Sequence, residues 1–392
     1  MKRGKEERWL WALLINVALA QASIYVMRPM ITYRTLENGA TKFDIGVIAA
    51  IYALVPLVVA IPMGRWVGKF GEVPLLILGS ISFIALAISF SFLNNIMAIA
   101  AATALAGTAH LSNVAASQSM VARRSPHDLQ DQNFGYFSFA TSTGHTFGPM
   151  LGGLIAGSSG VLPRSSSSAF IFAAVLALLA LVPFFFFRGL HQIKSLDDKE
   201  RAGSLKARDV MTRPGIKPAV WISLAVASTN DVLVVVLPLI GTENGISPVV
   251  IGSILSLRSA AAMISRFSIG RLTSKFGSTR VMNVSIFLSS LFLFSVIFTK
   301  SSISLAIVMA AIGFLLGVGQ PLTMAIVSKK SPVDERAMAI SIRLFGNRLG
   351  QFLVPLGSGA LAGSFGGGSV FIGLSCFIAS AGIVSITAIG KD

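Results

Sequence analysis

A series of long apolar runs, separated by short polar segments, restricts what this chain can fold into. An α-helix needs about 20 mostly apolar residues to cross the hydrocarbon core of a bilayer. Of the 392 residues, 54% are hydrophobic and only 12% are charged, whereas a soluble domain has about 25% charged residues. We therefore predict an all-α membrane protein with twelve transmembrane helices. The runs cover residues 9–31, 44–66, 73–92, 95–121, 134–157, 168–187, 217–241, 249–269, 281–299, 303–327, 337–363 and 369–390.

The basic residues alternate between the two sides of the predicted bundle. If the N-terminus is cytoplasmic, 23 of the 32 Lys and Arg residues lie in segments on the cytoplasmic side and 4 lie in outer loops. Cytoplasmic loops carry the excess of Lys and Arg in membrane proteins, so both termini are predicted to be cytoplasmic. This distribution accounts for the net charge of +16 without a nucleic-acid partner. The short loops favour a bacterial inner membrane as the location.

The chain contains an internal repeat with an offset of 206 residues. Residues 64–71 read GRWVGKFG and residues 270–277 read GRLTSKFG, and further turn residues, loop charges and helix glycines match at the same offset. We predict a six-helix bundle over 1–188, a cytoplasmic central loop over 189–216 and a second six-helix bundle over 217–392. Two parallel repeats related by an axis along the membrane normal are found in a class of secondary transporters.

The repeated loop resembles the Gly-x-x-x-Asp-Arg/Lys-x-Gly-Arg/Lys signature of the major facilitator superfamily. The matching positions, together with the arginine that follows each first glycine, are Gly64, Arg65, Lys69 and Gly71 in the first copy and Gly270, Arg271, Lys275 and Gly277 in the second. The resemblance implies that substrate binds between the two halves and that alternating access moves it across. The acidic position of the signature is Gly68 in one copy and Ser274 in the other. In the family this Asp helps to latch the halves together on the cytoplasmic side, so the departure puts that latch in doubt.

The fifth apolar run carries a second signature of glycines and a proline. Its spacing, G-x8-G-x3-GP-x2-GG, resembles the antiporter motif of the drug-exporting branches of the same superfamily. The glycines predict a flat helix face for close packing, and the proline predicts a bend. The arginine that exporters often carry in the fourth helix is absent, since Thr103 and Ala106 precede Gly107. The six matching positions are Gly135, Gly144, Gly148, Pro149, Gly152 and Gly153.

Charged residues inside a membrane are costly and usually face a cavity or a partner. Arg258 and Arg348 lie deep in their runs, and Asp231 is the one acid well inside a run. We expect the arginines to meet either Asp231 or an anionic group on the substrate, and Asp231 to carry the coupled proton. The full set of candidate substrate-binding residues is Arg258, Arg348, Arg343, Arg28, His110 and Asn113. Gln21 and His145 add further polar groups in the first half.

These features favour a transporter over the alternatives. Proton-coupled efflux of a small organic molecule is the first expectation, and proton-coupled uptake of an organic anion is the second. A membrane enzyme is a third class, but the chain has no catalytic cluster such as H-E-x-x-H. Neither a cofactor nor a metal is expected, since nothing resembles a nucleotide-binding loop or a metal-ligand pattern. The expected partners are the lipid bilayer, the substrate and protons, and the expected state is a monomer.

Overall fold

The computed structural model describes residues 8–126, 129–187, 210–331 and 336–388. These residues form thirteen α-helical segments, with α10 and α11 separated only by Val318. Short 3₁₀ turns follow α6 at Val182–Phe187 and α9 at Val296–Phe298. The helices are α1 (Arg8–Glu37), α2 (Lys42–Phe70), α3 (Glu72–Phe90), α4 (Ile96–Arg124), α5 (Gln130–Ala156), α6 (Ser166–Leu179), α7 (Ile216–Glu243), α8 (Pro248–Phe276), α9 (Ser278–Ser295), α10 (Ser302–Gly317), α11 (Gly319–Lys330), α12 (Arg336–Phe365) and α13 (Gly368–Ala388).

Within the described residues, ten helical stretches are long and apolar enough to cross a membrane. The stretch from Ser302 to Val327 counts as one of them, so α10 and α11 together form a single candidate span. The helices α5 and α12 are 27 and 30 residues long, but their many polar and glycine residues keep them out of that set. A multi-pass, all-α membrane protein is confirmed, while the number of twelve spans and the cytoplasmic termini stay predictions.

The 206-residue repeat extends to the bounds of the helices. Shifting α2 by 206 residues gives the bounds of α8, and shifting α4 gives the start of α10 and the end of α11. The chain enters α3 and α9 through Gly71 and Gly277, whose φ angles are 88° and 82°. Only glycine adopts this backbone region without a steric cost, which explains why both copies of the loop end in glycine.

The described residues form two compact units. The first takes its residues from the ranges Met1–Ala40, Val55–Leu196 and Gly245–Ser256. The second takes its residues from Thr41–Leu54, Asp197–Asn244 and Leu257–Asp392. The start of α2 therefore belongs to the second unit, and the start of α8 belongs to the first. The predicted boundaries of the halves stay a prediction, and most of the predicted central loop lies outside the described residues.

Each unit has the same order of packed helices. In the first unit, α1 packs against α5 and α6, and α3 packs against α4 and α6. In the second unit, α7 packs against α12 and α13, and α9 packs against α13 and α10. Leu13, Leu76 and Met120 lie in the core of the first unit, and Ile216, Val220 and Val327 lie in a core of the second. This frame fixes which side chains can meet inside each unit.

Candidate functional site

The first unit contains a cluster of two histidines and one glutamine on three helices. The Oε1 atom of Gln21, on α1, lies 3.2 Å from Nε2 of His110 on α4 and 3.2 Å from Nε2 of His145 on α5. The ring of Tyr25 stacks on that of His145, with 3.8 Å between centroids. Sequence reasoning named these polar residues singly, but nothing in the sequence shows that they share one acceptor.

Glycines of α5 make this cluster possible because they let α5 approach α1 closely. A Cβ atom on Gly144 would lie 2.5 Å from the Cβ of Gln21, and one on Gly148 would lie 2.8 Å from the Cβ of Tyr25. Gly152 faces Val26 at 3.3 Å in the same way, whereas no atom lies within 4 Å of such a position on Gly135. Three glycines spaced by four residues thus form the expected flat face, and Gly135 is not part of it.

Two more candidate residues of the first unit are buried. Arg28 is only 6% exposed, and its guanidinium carbon lies 5.9 Å from the centre of the Tyr25 ring. Asn113 is 3% exposed and lies against α3, where a Cβ on Gly79 would be 2.9 Å from its Nδ2 atom. Arg28 is therefore next to the histidine cluster, while the side chain of Asn113 packs against α3.

The second unit contains a buried arginine, Arg343, in a network of neutral side chains. Arg343, on α12, donates from Nη1 to Oγ of Ser223 and to Oε1 of Gln320, each at 2.8 Å. Asn347 donates to the same Gln320 oxygen at 3.2 Å and accepts a hydrogen bond from Ser223 at 2.8 Å. The four side chains form one network that joins α7, α11 and α12.

The other two arginines lie in separate surroundings. Arg258, on α8, is 5% exposed and donates to Oδ1 of Asn230 at 2.6 Å. Asn230, the residue that Arg258 contacts, directly precedes the candidate proton carrier Asp231 in α7. Arg348 is half-buried and donates to Gln351 on the same helix at 3.1 Å.

Close helix contacts inside each unit follow the repeat. A Cβ on Gly46 would lie 2.7 Å from the carbonyl oxygen of Pro355 in the second unit. At the positions shifted by 206 residues, a Cβ on Gly252 would clash with the carbonyl oxygen of Pro149 in the first unit. Gly153 faces the carbonyl oxygen of Pro248 at 2.8 Å in the same contact. The repeated glycines and prolines therefore mark equivalent places where two helix backbones touch.

Each of these close helix contacts has its own polar interaction nearby. Lys42, at the start of α2, forms an ion pair with Glu243 at the end of α7. The backbone N–H of Met150 donates to Oγ of Ser256 at 3.0 Å in the first unit. Among the described residues, neither polar contact recurs at the shifted positions, since Pro248 is equivalent to Lys42 and Ala50 is equivalent to Ser256.

A buried acid lies directly after the first copy of the repeated loop. Glu72 directly follows Gly71, is 4% exposed and lies 3.4 Å from Nη1 of Arg123. Ser119 donates to the same carboxylate at 3.4 Å. An acid four residues after Gly68, on the next helix, thus links the start of α3 to the end of α4, which sequence reasoning missed. The side chain of Arg65 and the surroundings of Gly64 and Gly68 lie outside what the structure describes.

The remaining loop residues repeat each other. Lys69 lies 5.2 Å from the ring of Phe70, and Lys275 lies 5.3 Å from that of Phe276. Gly270 has no atom within 4 Å of a Cβ position, and Arg271 is exposed. In the described part of the chain, no group of three or more His, Cys, Asp or Glu residues is placed to hold a metal ion.

Known proteins resemble the chain, some of them over almost its whole length. It is 23% identical to the multi-drug resistance efflux pump PmrA homolog of Lactococcus lactis, covering 96% of this chain and 95% of that one. It is 25% identical to the quinolone resistance protein NorA of Staphylococcus aureus over 44% of this chain and 43% of that one. The nucleoside transporter NupG has the same fold, with a TM-score of 0.77, 13% identity and coverage of 97% and 99%.

The sequence profile of the Major Facilitator Superfamily matches residues 13–229 and 219–391. These two matches take in both copies of the repeat and both loop signatures. The chain is a transporter of the major facilitator superfamily and resembles its drug-efflux branches.

Proposed function

We propose that this transporter exports a small organic molecule in exchange for protons. It works as a monomer in a bacterial cell membrane, crosses that membrane twelve times with both termini in the cytoplasm, and acts by alternating access. The names of its relatives support export, since both the PmrA homolog and NorA are named for drug resistance. The α5 glycines carry the proposal, because the antiporter-like motif coincides with a close helix contact.

The buried arginines of the second unit favour a substrate with an anionic group and an apolar body. Arginine binds carboxylate groups with two parallel hydrogen bonds. Arg343 donates to Ser223 and Gln320, and Arg258 donates to Asn230. Arg348 is half-buried on the same helix as Arg343. Asp231 is the proposed proton carrier of this unit, next to the Asn230 that binds Arg258.

Transport into sealed liposomes tests the direction of coupling. The purified protein is reconstituted, and uptake of a panel of labelled compounds is measured with an acidic lumen, an alkaline lumen and no pH gradient. In exchange, protons leave an acidic lumen as substrate enters, so the substrate accumulates in acidic vesicles whichever way the protein is inserted. Protein-free liposomes control for passive movement of weak acids and bases. An absence of gradient-driven accumulation for every compound would refute the proposal.

The second candidate is proton-coupled uptake of an organic anion, which the three arginines of the second unit favour. In cotransport, substrate and protons move together, so the substrate accumulates in vesicles with an alkaline lumen. The same assay therefore separates the two functions by the sign of the gradient that drives accumulation.

A further inference from the structure

The histidine cluster of the first unit has one acceptor and two donors. An amide oxygen only accepts hydrogen bonds, so His110 and His145 both donate to Gln21 from Nε2. Each imidazole then holds its N–H at Nε2, and a proton added to either ring makes it an imidazolium. Both rings are half-buried, at helix positions facing α1. Histidine is the side chain whose charge ordinarily changes between about pH 5 and pH 8.

The charges around the cluster are few and mostly distant. Arg28 lies two turns along α1, about 10 Å from Gln21 at 1.5 Å per residue, and lies over the Tyr25 ring that stacks on His145. The other charged residues of the three helices lie about 20 Å or more along them from the cluster. These are Arg8, Arg34 and Glu37 on α1, Arg123 and Arg124 on α4, and Asp131 on α5.

We propose that His110, His145 and Gln21 form a proton-binding site that holds a single proton and takes part in coupling. The first proton converts one ring to imidazolium, which strengthens its hydrogen bond to the Gln21 oxygen because charged donors bind more strongly. A second proton would place two positive rings against the same oxygen, with Arg28 nearby, so the two rings titrate as a coupled pair. The site rests on the proposed proton coupling and adds a second proton carrier to Asp231, which lies in the other unit.

Nuclear magnetic resonance measures proton binding without any transport. The chain has 4 histidines, so ¹⁵N-histidine labelling of the full-length protein in detergent gives few signals, which single replacements assign. We expect His110 and His145 to change charge between about pH 5 and pH 8, and the His110→Gln variant to alter the titration of His145. Glutamine keeps an N–H donor for Gln21 but does not titrate. Rings that keep one charge state, or that titrate independently, would overturn the site.

Transport tests whether that proton is coupled. The double variant His110→Gln, His145→Gln should lose accumulation driven by a pH gradient while keeping exchange of labelled for unlabelled substrate. Gln21→Glu places a carboxylate between the rings and should move the pH dependence of transport upwards by about one pH unit, a shift that a purely structural role would not produce. Gradient-driven transport at the wild-type level in the double variant would overturn the coupling role.

The two proposals fail in different ways. If the wild-type protein shows no gradient-driven transport, the proposed function is wrong, and the resonance titration still decides whether the pair binds one proton. If the wild-type protein is driven by the gradient and the histidine signals do not titrate, only the histidine site is wrong.

Discussion

Replacing the α5 glycines by alanine one at a time tests how closely α5 approaches α1. The perturbation is graded by the structure, since an added Cβ would lie 3.3 Å from Val26 at Gly152, 2.8 Å from Tyr25 at Gly148 and 2.5 Å from Gln21 at Gly144. Gly135, on the same helix, is the matched control, because nothing lies within 4 Å of its Cβ position.

Two opposing terms set the magnitude. Alanine is favoured over glycine inside a helix by about 1 kcal/mol. Forcing a methyl group into a close contact costs about 1–3 kcal/mol when the neighbours must move. Gly135→Ala should therefore raise the free energy of unfolding by up to about 1 kcal/mol, and Gly152→Ala should be close to neutral. Gly148→Ala and Gly144→Ala should each lower it by up to about 2 kcal/mol, the difference between the two terms.

The assay is reversible unfolding of the purified protein from detergent micelles by increasing amounts of a denaturing detergent, followed by circular dichroism. Gly148→Leu, whose side chain is much larger, should still insert into membranes but lose transport in liposomes, whereas Gly135→Leu should keep it. If Gly148→Ala is as stable as Gly135→Ala, the close α1–α5 contact is wrong. If Gly148→Leu transports normally, the glycine face has no role in transport and the export proposal is weakened.

Three further predictions concern charge. Reversing the charge of either residue of the partly exposed Lys42–Glu243 pair should destabilise the protein by about 0.2–1 kcal/mol. The double swap Lys42→Glu, Glu243→Lys should recover most of that loss in a double-mutant cycle. If the two single losses simply add in the double variant, the two residues do not form an ion pair. Asp231→Asn should abolish transport driven by a pH gradient and retain substrate exchange in liposomes, whereas joint loss of binding and exchange would indicate a structural ion-pair partner instead. A cysteine at Arg164 should react with a membrane-impermeant reagent added to intact cells, in a background with Cys376 replaced; a cysteine at Lys194 that also reacts would refute the predicted topology.

Hydropathy and spacing in the sequence predict most of the helical frame. The run predicted over 44–66 lies within α2, and the run over 95–121 nearly coincides with α4. Length and apolarity determine these elements, because a segment in lipid must satisfy its backbone hydrogen bonds internally. Arg34 shows the limit of this reasoning. It lies beyond the run predicted over 9–31, but α1 continues to Glu37, and Arg34 is buried and donates to the carbonyl oxygen of Ser91 at 3.2 Å.

The partners of polar side chains were much harder to predict. Gln21 and His145 are 124 residues apart in the chain, and only the packing of α5 on α1 brings them together. The ion pair of Glu72 could not be predicted from the family signature, because the signature places its acid at the position of Gly68, four residues earlier. Composition indicates that a polar residue in lipid needs a partner, but choosing that partner requires the rotation of each helix about its axis.

The repeat separates what the two halves share from what each one has alone. The shared positions are those that turn the backbone or let helices touch, such as Gly71 and Gly277 or Gly153 and Gly359. A side chain at such a position would clash or strain the backbone, so both copies are restricted to glycine for a physical reason.

The polar chemistry is not shared. Shifting His110 by 206 residues gives Leu316, and shifting Asp231 back by the same amount gives Tyr25, the residue that stacks on His145. Arg258 has Tyr52 at its equivalent position in the same way. The candidate imidazoles therefore lie in the first half and the candidate carboxylate Asp231 lies in the second, while buried arginines occur in both halves at positions that the repeat does not relate. Because no polar candidate residue for substrate or proton binding recurs at its position shifted by 206 residues, each half can be tested separately for its share of proton and substrate binding.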